Sequence, residues 1–320
     1  MTHFRQRGVA LLVAITIFAI ATTLAAAITY NKAMAARRAA ATFTLEQALQ
    51  AGMAAEALAD IALESSGSSA KTTPDQEWAQ PFPPTEIEGT GVWIAATIED
   101  LSARFNLNSV VKWDAATASF VADPDQIEVF QHLLRALDID LRYADFLVDW
   151  IDTDIAPYGQ GGEDTLYLSQ TPPYRPPNTF ITHPSELLAL PGFGAENYTK
   201  LAPYVTALPN DAKINVCTGI GLVLDAARND PQNQSEFAGT DLSSKGQRNK
   251  GCFPAKAVFS GVISDPQLKA KADARIDETS QWFRLRTNIR IGTAEFVLYS
   301  VLFRESGNTV RTVQRSFGSE

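Results

Sequence analysis

The sequence predicts an α+β protein: a long N-terminal helix, an antiparallel β-sheet, and a large helical domain inserted between the strands. Three observations carry this. Residues 9–30 contain no charge and lead directly into a stretch rich in Ala, Leu, Glu and Gln, all strong helix formers. Residues 91–100 alternate as a strand, as do 281–291 and 294–304 around Gly292, with 310–317 a further strand. Helical patterns fill the interval between the first strand and the last three, and strands on both sides of a helical block mark an insertion.

The elements follow in chain order. The helix is expected over residues 9–64, roughly 80 Å at 1.5 Å per residue. Ala51, Ala54, Ala55, Leu58, Ile61 and Ala62 keep helical spacing, and Ser65-Ser66-Gly67-Ser68-Ser69 ends the run. Residues 70–90, with Pro81, Pro83 and Pro84, read as a connecting loop. Residues 125–137 and 142–151 are expected helices, the first with Phe130, Leu133, Leu134 and Leu137 on one face. Residues 185–190 and 196–201 read as helices flanking the tight turn Leu190-Pro191-Gly192-Phe193-Gly194. A helix is expected over 214–227, with Asn215 as its cap. The polar residues 232–251 read as a mobile loop.

Composition removes most chemistry. The chain has 320 residues, 45% hydrophobic and 20% charged, enough for two domains with packed cores. Two cysteines and three histidines cannot build a four-thiolate or multi-histidine metal centre. There is no G-x-S-x-G, H-E-x-x-H or P-loop, and Gly159, Gly161 and Gly162 do not follow a strand in a dinucleotide pattern. Acidic pairs that could act as a glycosidase's carboxylates arise by chance in so acidic a chain. No enzyme is expected. The Leu190–Gly194 turn resembles a helix-hairpin-helix, whose backbone amides can hold a DNA phosphate. Charge opposes that: the whole chain carries a net −9, and residues 125–230 hold 15 acidic against 6 basic residues. Binding by counterion release requires a basic surface.

The N-terminus admits three readings. Residues 9–30 can span a bilayer of roughly 30 Å as a permanent anchor. They can form a secretory signal cut at Ala25–Ala27, although such signals have shorter apolar cores and do not lead into long rods. Alternatively, Gly8 ends a short basic leader bearing Arg5 and Arg7, with cleavage leaving Val9 as the new N-terminus. The positive-inside count does not decide, since Lys32, Arg37 and Arg38 balance the leader arginines. A glycine before an uncharged run, after a short basic leader, resembles the class III leader of type IV pilins and type II secretion pseudopilins. That pattern carries a glutamate at the fifth mature position, where this chain has Val13. The K-type minor pseudopilin of type II secretion, the GspK family, typically lacks that glutamate and is unusually large. Segments beyond the leader also resemble that family: RYADFLVDWIDTD, the GED with PPYRPPN after it, SELLALPGF, INVCT and SQWFRLRTNIRIG. One departure is Cys217 in INVCT, where the family usually has asparagine, which points to a locally different disulfide arrangement.

The resemblance implies a non-enzymatic structural protein at the tip of the pseudopilus, supporting export of folded exoproteins across the outer membrane. It implies a removed leader, 1–8, and a transmembrane and pilin-like helix, 9–64. A sheet domain, 65–124 and 275–320, would be interrupted by an inserted helical domain, 125–274. Prepilin peptidase would cut after Gly8 and N-methylate Val9. The partners implied are I- and J-type minor pseudopilins, the major pseudopilin filament and the inner membrane, with a periplasmic C-terminal domain and no nucleic acid. A type IV pilus minor pilin, used for adhesion or DNA uptake through the Leu190–Gly194 turn, is the alternative. In an oxidising periplasm Cys217 and Cys252 should pair, closing a loop worth roughly 3–4 kcal/mol, the alternative being two buried thiols.

The last expectation is calcium. Asp152, Asp154 and Glu163 stand at the first, third and twelfth places of an EF-hand-like spacing, with Tyr158 at the carbonyl place. Ala156 and Pro157 depart from that motif, so a true EF-hand is not expected. Still, Asp149, Asp152, Asp154, Glu163 and Asp164 fall within sixteen residues, where carboxylates must splay into water or share a cation. The resemblance favours the cation, because the family's helical module is rich in acidic metal-binding residues there.

Overall fold

The computed structural model describes residues 9–67, 69–230, 237, 251–305 and 308–318. Helix α1, Val9–Gly67, is unbroken. Thr16, Thr22, Thr23 and Thr29 turn their hydroxyls back onto carbonyls three or four residues earlier at 2.7–3.0 Å, so the polar groups of the uncharged run are satisfied within the helix. This first part is long and apolar enough to cross a membrane, and none of its most apolar stretch is buried by the rest of the chain. The second part is different. Ala48, Ala51, Ala55, Ala59 and Leu63 lie at helical spacing and are buried.

What buries them is a sheet assembled from two distant parts of the chain. After α1 come β1, Phe82–Ile87, and β2, Val92–Asp100. The middle of the chain contributes short pairs. Strand β3 (Phe105–Asn106) lies parallel to β6 (Val205–Thr206), and β4 (Val111–Asp114) forms a hairpin with β5 (Ser119–Ala122). Strand β7 (Ile214–Asn215) lies parallel to β8 (Ile276–Asp277). The chain then returns through β9 (Trp282–Ile291), β10 (Ala294–Arg304) and β11 (Val310–Phe317). The five long strands are ordered β1-β2-β9-β10-β11, every pair antiparallel, so β2 joins β9 across the whole intervening segment. Period-two alternation places Phe283, Leu285 and Ile289 of β9 and Leu298 and Leu302 of β10 in the core with α1. Gly52 lets the helix approach closely, because a Cβ there would strike Leu298 of β10.

Between β2 and β9 lies a second core. It is built on α2 (Pro124–Ala136), α3 (Arg142–Ile151), α4 (Asp164–Leu168), α5 (Gly194–Leu201), α6 (Gly221–Arg228), α7 (Lys256–Gly261) and α8 (Pro266–Arg275). Asp123 caps α2 by accepting from the Asp125 amide at 3.1 Å, with Pro124 in the first turn. The apolar face of α2 then buries Ile127, Phe130, Leu133 and Leu134, with Phe130 stacked on Phe105 at 5.3 Å. Phe105, Leu107, Val110 and Val111 belong to this helical core rather than to the sheet core.

Several local expectations are corrected. Residues 70–90 are not only a connection: Trp78 is buried in a 3-10 turn and β1 forms the sheet edge. Residues 101–111 are two 3-10 turns around the two-residue β3, because Asp100 and Asn106 each cap the turn that follows. Residues 184–189 form a 3-10 turn instead of an α-helix. The helix expected over 214–227 begins only at Gly221; Asn215 does not cap it but sits in β7 with its side chain fully buried. The expected mobile loop 232–251 lies outside the described residues except at Phe237 and Gly251, and Gly8 lies outside them too.

Candidate metal centre

Helix α3 carries Asp149 in its last turn, and Asp152 is the extended residue that caps its C-terminus. The chain then loops out and returns so that Glu163, immediately before α4, meets them. One carboxylate oxygen from each of Asp149, Asp152 and Glu163 lies within 4.8 Å of the others, and all three residues are buried. The loop is held by amides that donate to carboxylates: Tyr158 N to Asp149 Oδ1 at 2.8 Å and Gln160 N to Asp145 Oδ2 at 2.9 Å. That leaves Asp149 Oδ2, Asp152 Oδ1, Glu163 Oε1 and the neighbouring Tyr167 hydroxyl buried with no hydrogen-bond partner among the described residues. Gly161 completes the cradle, because a Cβ there would run into Asp149 Oδ2 and the Tyr158 carbonyl.

Three carboxylates so close and so buried cannot all stay charged alone. Burial pushes Asp149 up to about 7, against amide bonds that favour its charged form and with Glu163 adding to the rise. Burial likewise drives Asp152 to about 7, helped by the charges of Asp154, Asp149 and Glu163. Glu163 is raised first by burial, then by Asp154 and Asp164. The group therefore holds protons or a cation. Its free atoms are all hard oxygens, the donor set that calcium takes at 2.3–2.6 Å. The residues present fit such an ion.

Not all five expected carboxylates converge. Asp154 is exposed and turns its Oδ1 onto the Ala156 amide at 2.8 Å. Asp164 is half-exposed and its Oδ2 lies 3.6 Å from Arg175 Nε. These two add to the negative field without joining the trio. Sequence reading missed Asp145 and Tyr167. The i, i+4 spacing of Asp145 and Asp149 gave a usable signal for the first; nothing local marked the tyrosine.

Cys217 and Cys252 form a disulfide, as expected. It sits beside a buried polar junction. Asp100, at the end of β2, accepts from Ser280 Oγ and Thr218 Oγ1, both at 2.5 Å, and from Asn215 Nδ2 at 3.3 Å. Arg304 Nη2 donates to Thr72 Oγ1 at 2.8 Å and to the Ser280 carbonyl at 2.7 Å. Burial pushes the Asp100 carboxyl above the usual range even against these donors.

The Leu190–Gly194 turn is fastened to α3 through one carbonyl and one ring. Gly192 and Gly194 take φ of +77° and +71°, which favours glycine. The Gly192 carbonyl accepts from Tyr143 OH at 2.6 Å, and Phe193 packs edge-on against the Tyr143 ring at 5.0 Å. The turn is a docking contact onto α3.

Residues 103–210 match the family model for type II secretion system protein K. The chain is 30% identical to type II secretion system protein K of Pectobacterium carotovorum subsp. carotovorum, over 98% of this chain and 97% of that protein. It is also 30% identical to the Pseudomonas aeruginosa protein of the same name, over 98% and 93%. A chain in the crystal structure of the GspK-GspI-GspJ complex from enterotoxigenic Escherichia coli superposes with a TM-score of 0.75. That match is 24% identical and covers 88% of this chain and 100% of the other.

Proposed function

Because the chain belongs to the type II secretion system protein K family, we propose that it is the minor pseudopilin at the tip of the type II secretion pseudopilus. There it forms a tip complex with I- and J-type minor pseudopilins, which starts assembly and supports export of folded exoproteins across the outer membrane. The observation that carries this is the division of α1, whose unburied apolar first part emerges from a helix otherwise packed on the sheet. Such a helix can sit in the inner membrane as a single span and then enter a filament, leaving the sheet and helical module in the periplasm. The helical module, residues 125–274 in this reading, adds bulk that would prevent another subunit from stacking above it. Co-purification of the full chain with I- and J-type partners tests the assignment. Binding to neither would remove it.

Maturation follows from the same reading. Prepilin peptidase would cut after Gly8, whose missing side chain lets the backbone enter extended, and would methylate the Val9 amine. Gly8→Val should leave an uncleaved precursor, while N-terminal sequencing that begins after Ala27 would restore an ordinary secretory signal. Val13 removes the carboxylate that could pair with a neighbour's amine in the apolar filament core, which suits a subunit with no neighbour above it. Val13→Glu should spread labelled subunits beyond filament ends, and labels confined to the ends would count against that role.

Calcium completes the reading. Asp149, Asp152 and Glu163 would hold it, with Asp154 and Asp164 contributing their charge; the ion supplies positive charge that orders the loop and stabilises the helical core by mass action. The four buried oxygens without partners support this site. Calorimetry on the full chain in detergent tests it, and an absence of calcium binding would sink it.

A further inference from the structure

The side chains that donate to Asp100 come from two parts of the chain. Ser280, just before β9, comes with the sheet, whereas Thr218 and Asn215 come from the helical part. Both of these stand within two positions of Cys217. The Cys217 amide donates to Asn215 Oδ1 at 2.9 Å, and this turn aims Asn215 Nδ2 at Ser280 Oγ, at 2.7 Å, and at the Thr72 carbonyl, at 3.0 Å. Regular structure does little to hold the strap 214–218 in place. Strand β7 is two residues long and pairs with only the two residues of β8, and so short a pair is marginal on its own.

The other cysteine is seated beside Glu278, one of whose oxygens lies within 4.8 Å of both sulfurs. Glu278 Oε1 accepts from the Lys256 amide, at the start of α7, at 2.9 Å, and the carboxylate pairs with Lys71 Nζ at 2.9 Å. The Glu278 carbonyl accepts from the Thr72 amide at 2.8 Å, and Thr72 in turn is held by Arg304 of β10. This seat therefore belongs to the sheet side of the junction. The disulfide fastens the strap to it. Cys217 is fully buried, while Cys252 is half-buried and keeps part of its surface in solvent.

We propose that the Cys217–Cys252 bond is a redox-sensitive latch on the joint between the sheet and the helical part. Closed, it holds the strap 214–218 against Asp100. Reduced, it lets the strap withdraw and loosens the joint while each core stays folded. The reductant is a dithiol: one of its thiolates attacks Cys252 Sγ, the S–S bond breaks, and Cys217 leaves as a thiolate that takes up a proton. The second thiol then displaces Cys252 and closes the reductant's own disulfide, so two electrons and two protons reach the protein. With the bond open, the strap keeps its hydrogen bonds and the buried side chain of Val216 but loses its covalent seat. The latch depends on neither the tip assignment nor calcium.

The test uses the full chain in neutral detergent, read by hydrogen-exchange mass spectrometry with and without dithiothreitol. Reduction should speed exchange of the amides in 214–218 about tenfold and leave those of α2, α3, β9 and β10 within about twofold. The double variant Cys217→Ser, Cys252→Ser should show the fast strap exchange without reductant and no response to it. Thr218→Val removes one bond to Asp100 and keeps the disulfide. In the oxidised chain it should speed strap exchange about fivefold, and in the reduced chain less than about twofold, because the strap has then already left Asp100. Equal strap exchange in the two redox states, a rise spread evenly over the strap and both cores, or a Thr218→Val effect of the same size in both states would overturn the proposal.

Discussion

Gly161 is the residue on which the acidic loop most directly depends. Any side chain there must displace Asp149 Oδ2 or the Tyr158 carbonyl, and the carbonyl cannot yield without unmaking the turn. Gly161→Ala should therefore abolish calcium binding in calorimetry while leaving the sheet core intact by near-ultraviolet circular dichroism. The carboxylates themselves give a pH signature. Asp149 and Asp152 bind protons more tightly in the fold, at about 7, than at their ordinary 3.8, so protonation stabilises the calcium-free fold. That stability is present below about pH 4 and is lost as pH rises to about 7. In a chelator the melting temperature should thus fall between those limits. Calcium at a hundred times its dissociation constant should raise it by about 5–10 °C at pH 8, from ~2.7 kcal/mol of linkage. Asp152→Ala should abolish the calcium-dependent rise. A melting temperature indifferent to calcium at pH 8 would refute the site.

At the scale of elements, α1 is attached to the sheet by an alanine-lined seam with a buried carboxylate, Glu56, within it. Glu56 accepts from Ser300 Oγ at 2.6 Å, Thr312 Oγ1 at 3.0 Å and Arg315 Nε at 2.8 Å. Burial alone would push this carboxyl up, but the arginine and the two hydroxyls outweigh it and hold it below its ordinary value. Arg315 is 42% exposed in its side chain, so much of its charge is already solvated. Arg315→Ala should cost only about 1 kcal/mol, because the hydroxyls remain. Gly52→Leu should cost more, about 1–3 kcal/mol, by forcing the helix off Leu298. Chemical denaturation of the two variants should show that order, and the reverse order would mean that charge rather than close packing holds the helix. The helix itself was legible from its uncharged run and alanine-rich continuation. Strand β1 was not, because prolines at 83 and 84 argue against a strand and are tolerated only because β1 is an edge.

At the scale of the whole molecule, the sheet and the helical core are joined through the Asp100 junction, and the nearby disulfide closes a loop within the helical part. Asp100→Ala would remove the acceptor of the Ser280 and Thr218 hydroxyls, while the Asn215 amide would keep the Thr72 carbonyl and Ser280 Oγ. The expected cost is about 3 kcal/mol or more, read as a lower denaturation midpoint. Replacing both cysteines by serine should cost roughly 3–4 kcal/mol by loop-closure entropy, and a variant as stable as the parent would show that the packing around Glu278 suffices without the bond.

What the sequence determined alone was whatever depends on neighbours along the chain. The continuity of α1, the β9–β10 hairpin around Gly292, and the amphipathic α2 and α3 all follow from local periodicity and turn chemistry. The acidic residues of the loop were visible for the same reason. Tertiary structure alone decided which carboxylates converge, since Asp149, Asp152 and Glu163 meet only when α3 and α4 pack, while Asp154 and Asp164 turn outward. It also placed Asn215 in a buried junction instead of a helix cap, because its partners Asp100 and Ser280 lie more than sixty residues away on either side. Side chains that satisfy distant buried groups leave no trace in local pattern, since a buried polar atom must find its partner wherever the fold supplies one.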